Sequence, residues 1–260
     1  MEFEKENKLI FQGLVKEYGK KRVIDGLDGK IADSRITSLI GPNGAGKSTL
    51  LSILSRLLKQ DGGEVSFMDR SLPDYKSNEL AKKLSILKQS NQTDVKLTVK
   101  DLVAFGRFPY SKGRMTDADW QKVREAIVFS DLEDLTDAYI DELSGGQRQR
   151  AFISMIIAQD TEYILLDEPL NNLDMKHSVH VMKTLRRLVD ELGKTIVIVI
   201  HEINFAAQYS DHIIAMKDGK IRYSDEVNNI IRPEILKEIF GIEFDIIEKN
   251  QKKICNYFNL

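Results

Sequence analysis

The sequence predicts an α/β protein built on a parallel sheet, and three observations carry that prediction. Short apolar runs bounded by turn residues alternate with segments of helical period, the pattern of strands covered by helices on both faces. A glycine-rich run, GPNGAGKST at 41–49, joins one such strand to one such helix and has the form G-x-x-x-x-G-K-[ST]. A further apolar strand, YILLDEP at 163–169, ends in two acids, at the carboxyl end where parallel sheets place their ligands.

Taken in order, LIFQGLV, RVIDGL and ITSLI carry β-branched residues between turn signals and predict strands within 7–40. KSTLLSILSRLLK after the glycine run predicts a helix. GGEVSFMD predicts a strand, SNELAKK a helix and LSILKQ a short strand. Residues 98–142 lack strand signals; TVKDLVAFGRF, DADWQKVREAIVFS and EDLTDAYI predict helices joined by polar turns, a mostly helical insert forming its own small subdomain. The alternation then resumes with helix GQRQRAFISMIIAQ, strand YILLD, helix MKHSVHVMKTLRRLVDEL, strand TIVIVI, helix EINFAAQYS and strand HIIAMK. PEILKEIFGIEFDIIEKNQKKICNYF predicts a helix and then one or two edge strands. The whole reads as a single domain over 1–260, with the helical insert at about 90–160 and a C-terminal extension at about 226–260.

Bulk properties narrow the function classes. The chain has 260 residues, 42% hydrophobic and 30% charged, as in ordinary globular proteins. A net charge of −2 offers no basic field for nucleic acid. A single cysteine, Cys255, makes no internal disulfide and no metal cluster. The opening MEFEKENKLIF is charged, so no secretory signal is expected. Runs such as AFISMIIA and TIVIVI are too short to span a bilayer, so any membrane would be met through a partner.

The motifs point to nucleotide chemistry. In 41–49 the glycines Gly41, Gly44 and Gly46, with Pro42, Asn43, Ala45 and Thr49, form a loop whose backbone N–H groups can approach phosphate oxygens. The helix N-terminus adds its partial positive charge, Lys47 reaches the outer phosphates and Ser48 supplies a Mg²⁺ ligand. Asp167, at the end of YILLD, is placed to hold Mg²⁺ directly or through water, and Glu168 to polarise the attacking water. LSGGQRQR at 143–150 gives Ser144 and Gln147 the S-x-x-Q spacing of a capping box, with Gly145 and Gly146 exposing first-turn N–H groups to an anion. Taken alone, S-x-x-Q means only a well-capped helix; the double glycine and the following RQR argue for more.

LSGGQ between a phosphate loop and an LLDEP strand resembles the signature motif of ABC ATPases, and the resemblance runs from about residue 8 to 225. It implies a P-loop nucleotide-binding core with an antiparallel β subdomain and a helical subdomain. It also implies a homodimer of two copies, head to tail, each ATP lying between the phosphate loop of one and the signature of the other. On that resemblance Ser144, Gly145, Gly146 and Gln147 meet ATP bound on the partner, and Tyr18 in VKEYGKK stacks on adenine. Gln89 in ILKQS matches the glutamine that touches Mg²⁺ and links the site to the helical subdomain. Asn171, Asn172, Leu173 and Asp174 match the loop that crosses the dimer interface, and His201 after TIVIVI matches the switch histidine of the γ-phosphate. His177, His180 and His212 read as structural. Two departures fall in strand turns: Asp69-Arg70 where many members have glycine, and IADSRITSLIG without the glycine often found before that strand.

TVKDLVAFGRFPYSKGR and LDEPLNNLDMKHSVHVMKTLRRL resemble the ATPases of ferric-siderophore importers, the catecholate type in particular. Such systems imply two integral-membrane permease subunits, an extracytoplasmic siderophore-binding lipoprotein and a peripheral place on the cytoplasmic face of the membrane. Segment 90–115 lies where members dock a coupling helix of the permease. The rival readings are a non-transport ABC ATPase such as one serving iron-sulfur assembly, an importer for another iron, haem or cobalamin-like ligand, and an exporter motor. A DNA-repair or translation ATPase is disfavoured by a single cassette with no long heptads and no basic stripe.

Overall fold

The computed structural model describes residues 8–89, 95–250 and 252–258. The chain divides into two units, residues 1–75 with 195–260, and residues 76–194.

The first unit begins with an antiparallel sheet. Strands β1 (Leu9–Tyr18) and β2 (Lys21–Ile31) form a hairpin, and β4 (Gly62–Phe67) pairs with the other edge of β1. Leu9, Phe11, Leu14, Ile24, Leu27 and Ile31 fill its inner face. The hairpin runs longer than its apolar letters suggest, because β-bulges absorb Gln12–Gly13. Between β1–β2 and β4 lie β3 (Ile36–Ile40), buried throughout, and helix α1 (Lys47–Leu54). Helix α1 stops short of its apolar pattern because Arg56 adopts a left-handed φ of 60°. β5 (Arg70–Ser71) closes the sheet. The two glycine-lacking turns keep the geometry glycine usually supplies: Ser34 lies at φ 53°, Met68 at 48° and Asp69 at 58°.

The second unit holds helix α2 (Ser77–Leu80), one turn only, then β6 (Leu84–Leu87). Helices α3 (Val99–Phe105), α4 (Phe108–Ser111), α5 (Asp117–Phe129) and α6 (Gly145–Gln159) follow. EDLTDAYI is not the predicted helix but two 3₁₀ turns, Glu133–Leu135 and Ile140–Glu142. The reason is tertiary: the Ala138 carbonyl accepts the Val99 N–H and Ile140 N–H donates to Leu97, so this backbone is spent on the chain before α3. Helices α3 and α5 pack on α6, closely enough that a Cβ on Gly106 would lie 2.1 Å from the Met155 carbonyl oxygen. A buried ion pair joins them, with Arg107 Nε 3.0 Å from Asp119 Oδ1 and Arg107 Nη1 donating to the Ala158 carbonyl at 2.9 Å. The Thr116 hydroxyl and N–H, then the Arg107 guanidinium, hold the Asp119 carboxyl below its usual range. Strand β7 (Tyr163–Asp167) pairs in parallel with β6, and helix α7 (Met175–Asp190) ends the unit.

The first unit then resumes with β8 (Thr195–Val199), α8 (Ile203–Tyr209), β9 (His212–Lys217) and β10 (Lys220–Glu226). β3 pairs in parallel with both β8 and β9, and β10 adds an antiparallel edge. Helices α9 (Val227–Ile230) and α10 (Pro233–Phe240) lead to β11 (Asp245–Lys249) and β12 (Lys252–Asn256). The two predicted terminal strands form a hairpin and, among the described residues, pair with each other.

Candidate active site

In the first unit β3 delivers the chain into the 41–46 loop. Gly41 has φ 138°, and a Cβ there would sit 2.0 Å from the Met216 carbonyl oxygen of β9, so only glycine lets the loop leave the sheet at this point. Gly46, at φ 99°, is the N-cap of α1 and makes no side-chain cap bond. The N-cap residue therefore offers no side chain to the first turn of α1, a geometry that suits an anion. Lys47 is 5% exposed, and its ammonium donates to the Gly41 carbonyl at 2.8 Å and to the Pro42 carbonyl at 3.0 Å. The loop's own carbonyls hold that charge at its centre. Asn43 and Gly44 are exposed, Ala45 is buried, and Pro42, Ser48 and Thr49 are half-buried along the loop and first turn. His201 lies beyond β8, whose Val199 is in register with Leu39 of β3, and Ile200 N–H donates to the Leu39 carbonyl at 3.2 Å. His201 and the phosphate loop thus leave the same carboxyl edge of adjacent parallel strands. Tyr18, at the end of β1, is 53% exposed, not packed into the core; Lys16 Nζ is 5.7 Å from its ring centroid.

In the second unit the register of β6 and β7, Leu87 against Leu166, brings Gln89 beside the acids. Gln89 Nε2 donates to Glu168 Oε2 at 2.7 Å, and the Asn171 amide donates to the same oxygen. Glu168 has φ 51°, a backbone that a side-chain-bearing residue takes at a cost of about 1–2 kcal/mol. Two amides and a strained backbone therefore set the direction of this carboxylate, while Asp167, 9% exposed, closes the buried strand. No spacing rule reaches the Gln89–Glu168 bond, which spans 79 residues; only the parallel register creates it. With its nitrogen on Glu168, the Gln89 amide keeps its oxygen for another partner. Within this unit the Gln89 amide oxygen and the Asp167 carboxylate are oxygen donors, the kind that suits a hard ion such as Mg²⁺.

The 144–147 run is a complete capping box. Gln147 N–H donates to Ser144 Oγ at 3.3 Å, and Ser144 N–H donates to Gln147 Oε1 at 2.9 Å. Gly145 is exposed, whereas Gly146 lies under the His177 ring: a Cβ there would be 2.1 Å from Cδ2. His177 Nδ1 is 2.8 Å from Asp174 Oδ1, and the same oxygen caps α7 by accepting the His177 N–H at 2.8 Å. His177 is therefore a structural joint between the start of α6 and the 171–174 loop. The His177 N–H and ring hold the Asp174 carboxyl below its usual range. His180 and His212 are structural as read, their imidazoles pushed below the ordinary value by burial and, for His180, by the Arg150 guanidinium.

A sequence profile of the family described as "ABC transporter" matches residues 24–171, from β2 through both acids to Asn171. The chain belongs to the ABC transporter family. It is an ATP-binding ATPase subunit of that family. It is 56% identical over 244 residues to a petrobactin import ATP-binding protein of Bacillus subtilis, covering 94% of this chain and 97% of that one. It is 39% identical over 233 residues to the ferric enterobactin transport ATP-binding protein of Escherichia coli, covering 89% and 85%. Among solved structures, the dimeric structure of a bacterial ABC transporter cassette superposes with a TM-score of 0.75 at 30% identity, covering 84% of this chain and 98% of that one. Among the described residues of the cassette, no helix is long and apolar enough to cross a membrane, and no cluster of three His, Cys, Asp or Glu side chains could hold a metal ion.

Proposed function

We propose that this chain is the ATP-hydrolysing motor of a ferric-siderophore importer, working as a head-to-tail pair on the cytoplasmic face of the membrane. The observation that carries the hydrolytic part is the Glu168 carboxylate, pinned by Gln89 and Asn171 at the end of the strand that presents Asp167. Glu168 acts as general base toward the water that attacks the γ-phosphorus, a role worth about 10²–10⁴-fold in rate. The water gives its proton to Glu168 as the γ-phosphoryl group parts from ADP. Lys47 and the backbone N–H groups of Gly41, Asn43, Gly44, Ala45, Gly46, Ser48 and Thr49 bind the phosphates in the loop that Pro42 helps to shape, Tyr18 faces adenine, and His201 meets the γ-phosphate. Ser48, Asp167 and Gln89 would each offer Mg²⁺ an oxygen, and the ion would supply neutralisation of phosphate charge. Ser144, Gly145, Gly146, Gln147 and Asp174 act on the nucleotide of the second copy.

The importer part rests on the relatives, whose names specify import of petrobactin and transport of ferric enterobactin. The partners are two permease subunits and, through them, an extracytoplasmic siderophore-binding protein. Phe105 and Phe108, 54% and 60% exposed on α3 and α4, support a permease-docking role for the segment after Gln89. Residues 90–94 of that segment lie outside the described residues. The relatives' cargo makes petrobactin the first ligand to test. In cells carrying either the native chain or Glu168→Gln, uptake of radio-iron from ferric petrobactin is expected to collapse in the variant at equal protein level. Undiminished uptake in the variant would refute the cargo, and undiminished ATP hydrolysis by the purified variant would refute the base.

A further inference from the structure

The C-terminal hairpin β11–β12 carries none of the residues assigned to nucleotide chemistry, yet its second strand is bonded along the helix that starts just after His201. Asn204, in the first turn of α8, makes the join. Its Nδ2 donates to the Cys255 carbonyl at 3.1 Å, and its Oδ1 accepts the Cys255 N–H at 2.7 Å. A planar amide that donates to and accepts from one residue's backbone reproduces the bond pair a neighbouring strand would make. Further along the helix, Gln208 Nε2 donates to the Lys253 carbonyl at 2.6 Å, and Lys252 Nζ donates to the Gln208 carbonyl at 2.8 Å. The same network reaches the residue beside His201. The Glu202 carboxylate caps α8 by accepting the N–H groups of Asn204 at 3.0 Å and Phe205 at 3.3 Å, and it also accepts Asn204 Nδ2 at 3.2 Å. The Tyr257 hydroxyl approaches Glu202 Oε1 at 3.5 Å from the far side of β12.

Helix α8 has only seven residues, too few to hold its place by its own backbone bonds. Its buried face is Ile203, Ala206 and Ala207, of which two are alanines with little surface to bury. Besides its packing on β3 and α9, the helix is held by side-chain bonds from the hairpin, through Asn204 in its first turn and Gln208 in its last. Cys255 is 2% exposed, and burial pushes its thiol up to about 11, so it serves as packing and not as a nucleophile.

We infer that the C-terminal hairpin is a brace for His201, with Asn204 as the positioning residue that transmits its hold to the first turn of α8. This rests on the proposed reading of His201 as the γ-phosphate contact. A switch residue on a loop contributes to the rate only while the loop holds it within a fraction of an ångström of its productive place. The hairpin would therefore act on turnover and leave ATP affinity, which belongs to the 41–49 loop, unchanged.

The test is steady-state ATP hydrolysis by the purified full-length chain, its Asn204→Ala and His201→Ala variants and the double variant. Asn204→Ala is expected to lower kcat by about tenfold with KM for ATP within about twofold of native, and to lower it no further when His201 is already alanine, since the two act as a unit. If His201→Ala alone leaves kcat unchanged, the reading of His201 fails. If His201→Ala lowers kcat but Asn204→Ala does not, or if the two losses multiply, the brace is overturned. Should Asn204→Ala not fold, Gln208→Ala carries the same test with an expected fall of about threefold, and a native rate in that variant overturns the brace.

Discussion

Two helices of this protein begin on a glycine-rich run, and their starts are built in opposite ways. Helix α1 begins after Gly46, an N-cap with no side chain, and with the Lys47 ammonium held by the loop carbonyls. Helix α6 begins after Ser144 with both arms of a capping box made by its own residues. The glycines differ as well. Gly41 faces a backbone carbonyl of β9, which cannot move away, whereas Gly146 faces the ring of His177, which can rotate. The first start has the geometry proposed as an anion cradle, with a rigid loop exit at Gly41. The second is a helix end whose box takes the Gln147 N–H and not those of Gly145 and Gly146, so a ligand from a second copy would add to that box. A helix N-terminus thus offers an anion more of its donors when its N-cap residue has no side chain than when a capping box takes one of them.

Substitutions can break this contrast, and they rank by how much can give way. Gly41→Ala forces a Cβ against the Met216 carbonyl and should destabilise the chain by about 3 kcal/mol or more, read as a fall in melting temperature with loss of ATP binding. Gly146→Ala meets only a side chain, so the ring should swing off Asp174 at a cost of about 1–3 kcal/mol, with ATP affinity of the isolated chain retained. Equal losses in the two variants would erase the distinction between cradle and cap. Ser144→Ala removes one arm of the box and should cost about 1 kcal/mol in chemical denaturation, while Ser144→Asp, which can still cap, restores most of it.

The smallest effect concerns Asp174. Its carboxyl is depressed below the ordinary 3.8, so its cap on α7 contributes fully above that value and is lost as pH falls through the lower folded value. A shallow loss of helicity is expected only in strong acid, and Asp174→Asn, which caps without titrating, should abolish that dependence in circular dichroism.

Much of the fold was legible because it is written locally. β3, β7 and β8 are apolar runs buried along their whole length, and any reading of hydrophobic pattern finds them. β10 was not found. KIRYSDE is mostly polar and lies at an edge, so its strand character comes from pairing with β9 and not from its letters. EDLTDAYI has helical letters but loses its backbone partners to the segment before α3. The site divides in the same way. Gly41 to Thr49, the order Asp167-Glu168 and the Ser144–Gln147 box each lie within one turn or one loop, where spacing alone sets geometry.

The sequence by itself therefore determined the phosphate loop, the paired acids, the capped signature helix and the family to which they belong. Only the tertiary structure decided that Gln89 holds Glu168, that His177 ties Gly146 to Asp174, and that Asn204 is paired with Cys255. The physical reason is range. A cap or a phosphate loop closes over a few residues whose dihedrals the local letters set. A bond between side chains dozens of residues apart exists only where strand register and helix packing bring its two ends within about 3 Å.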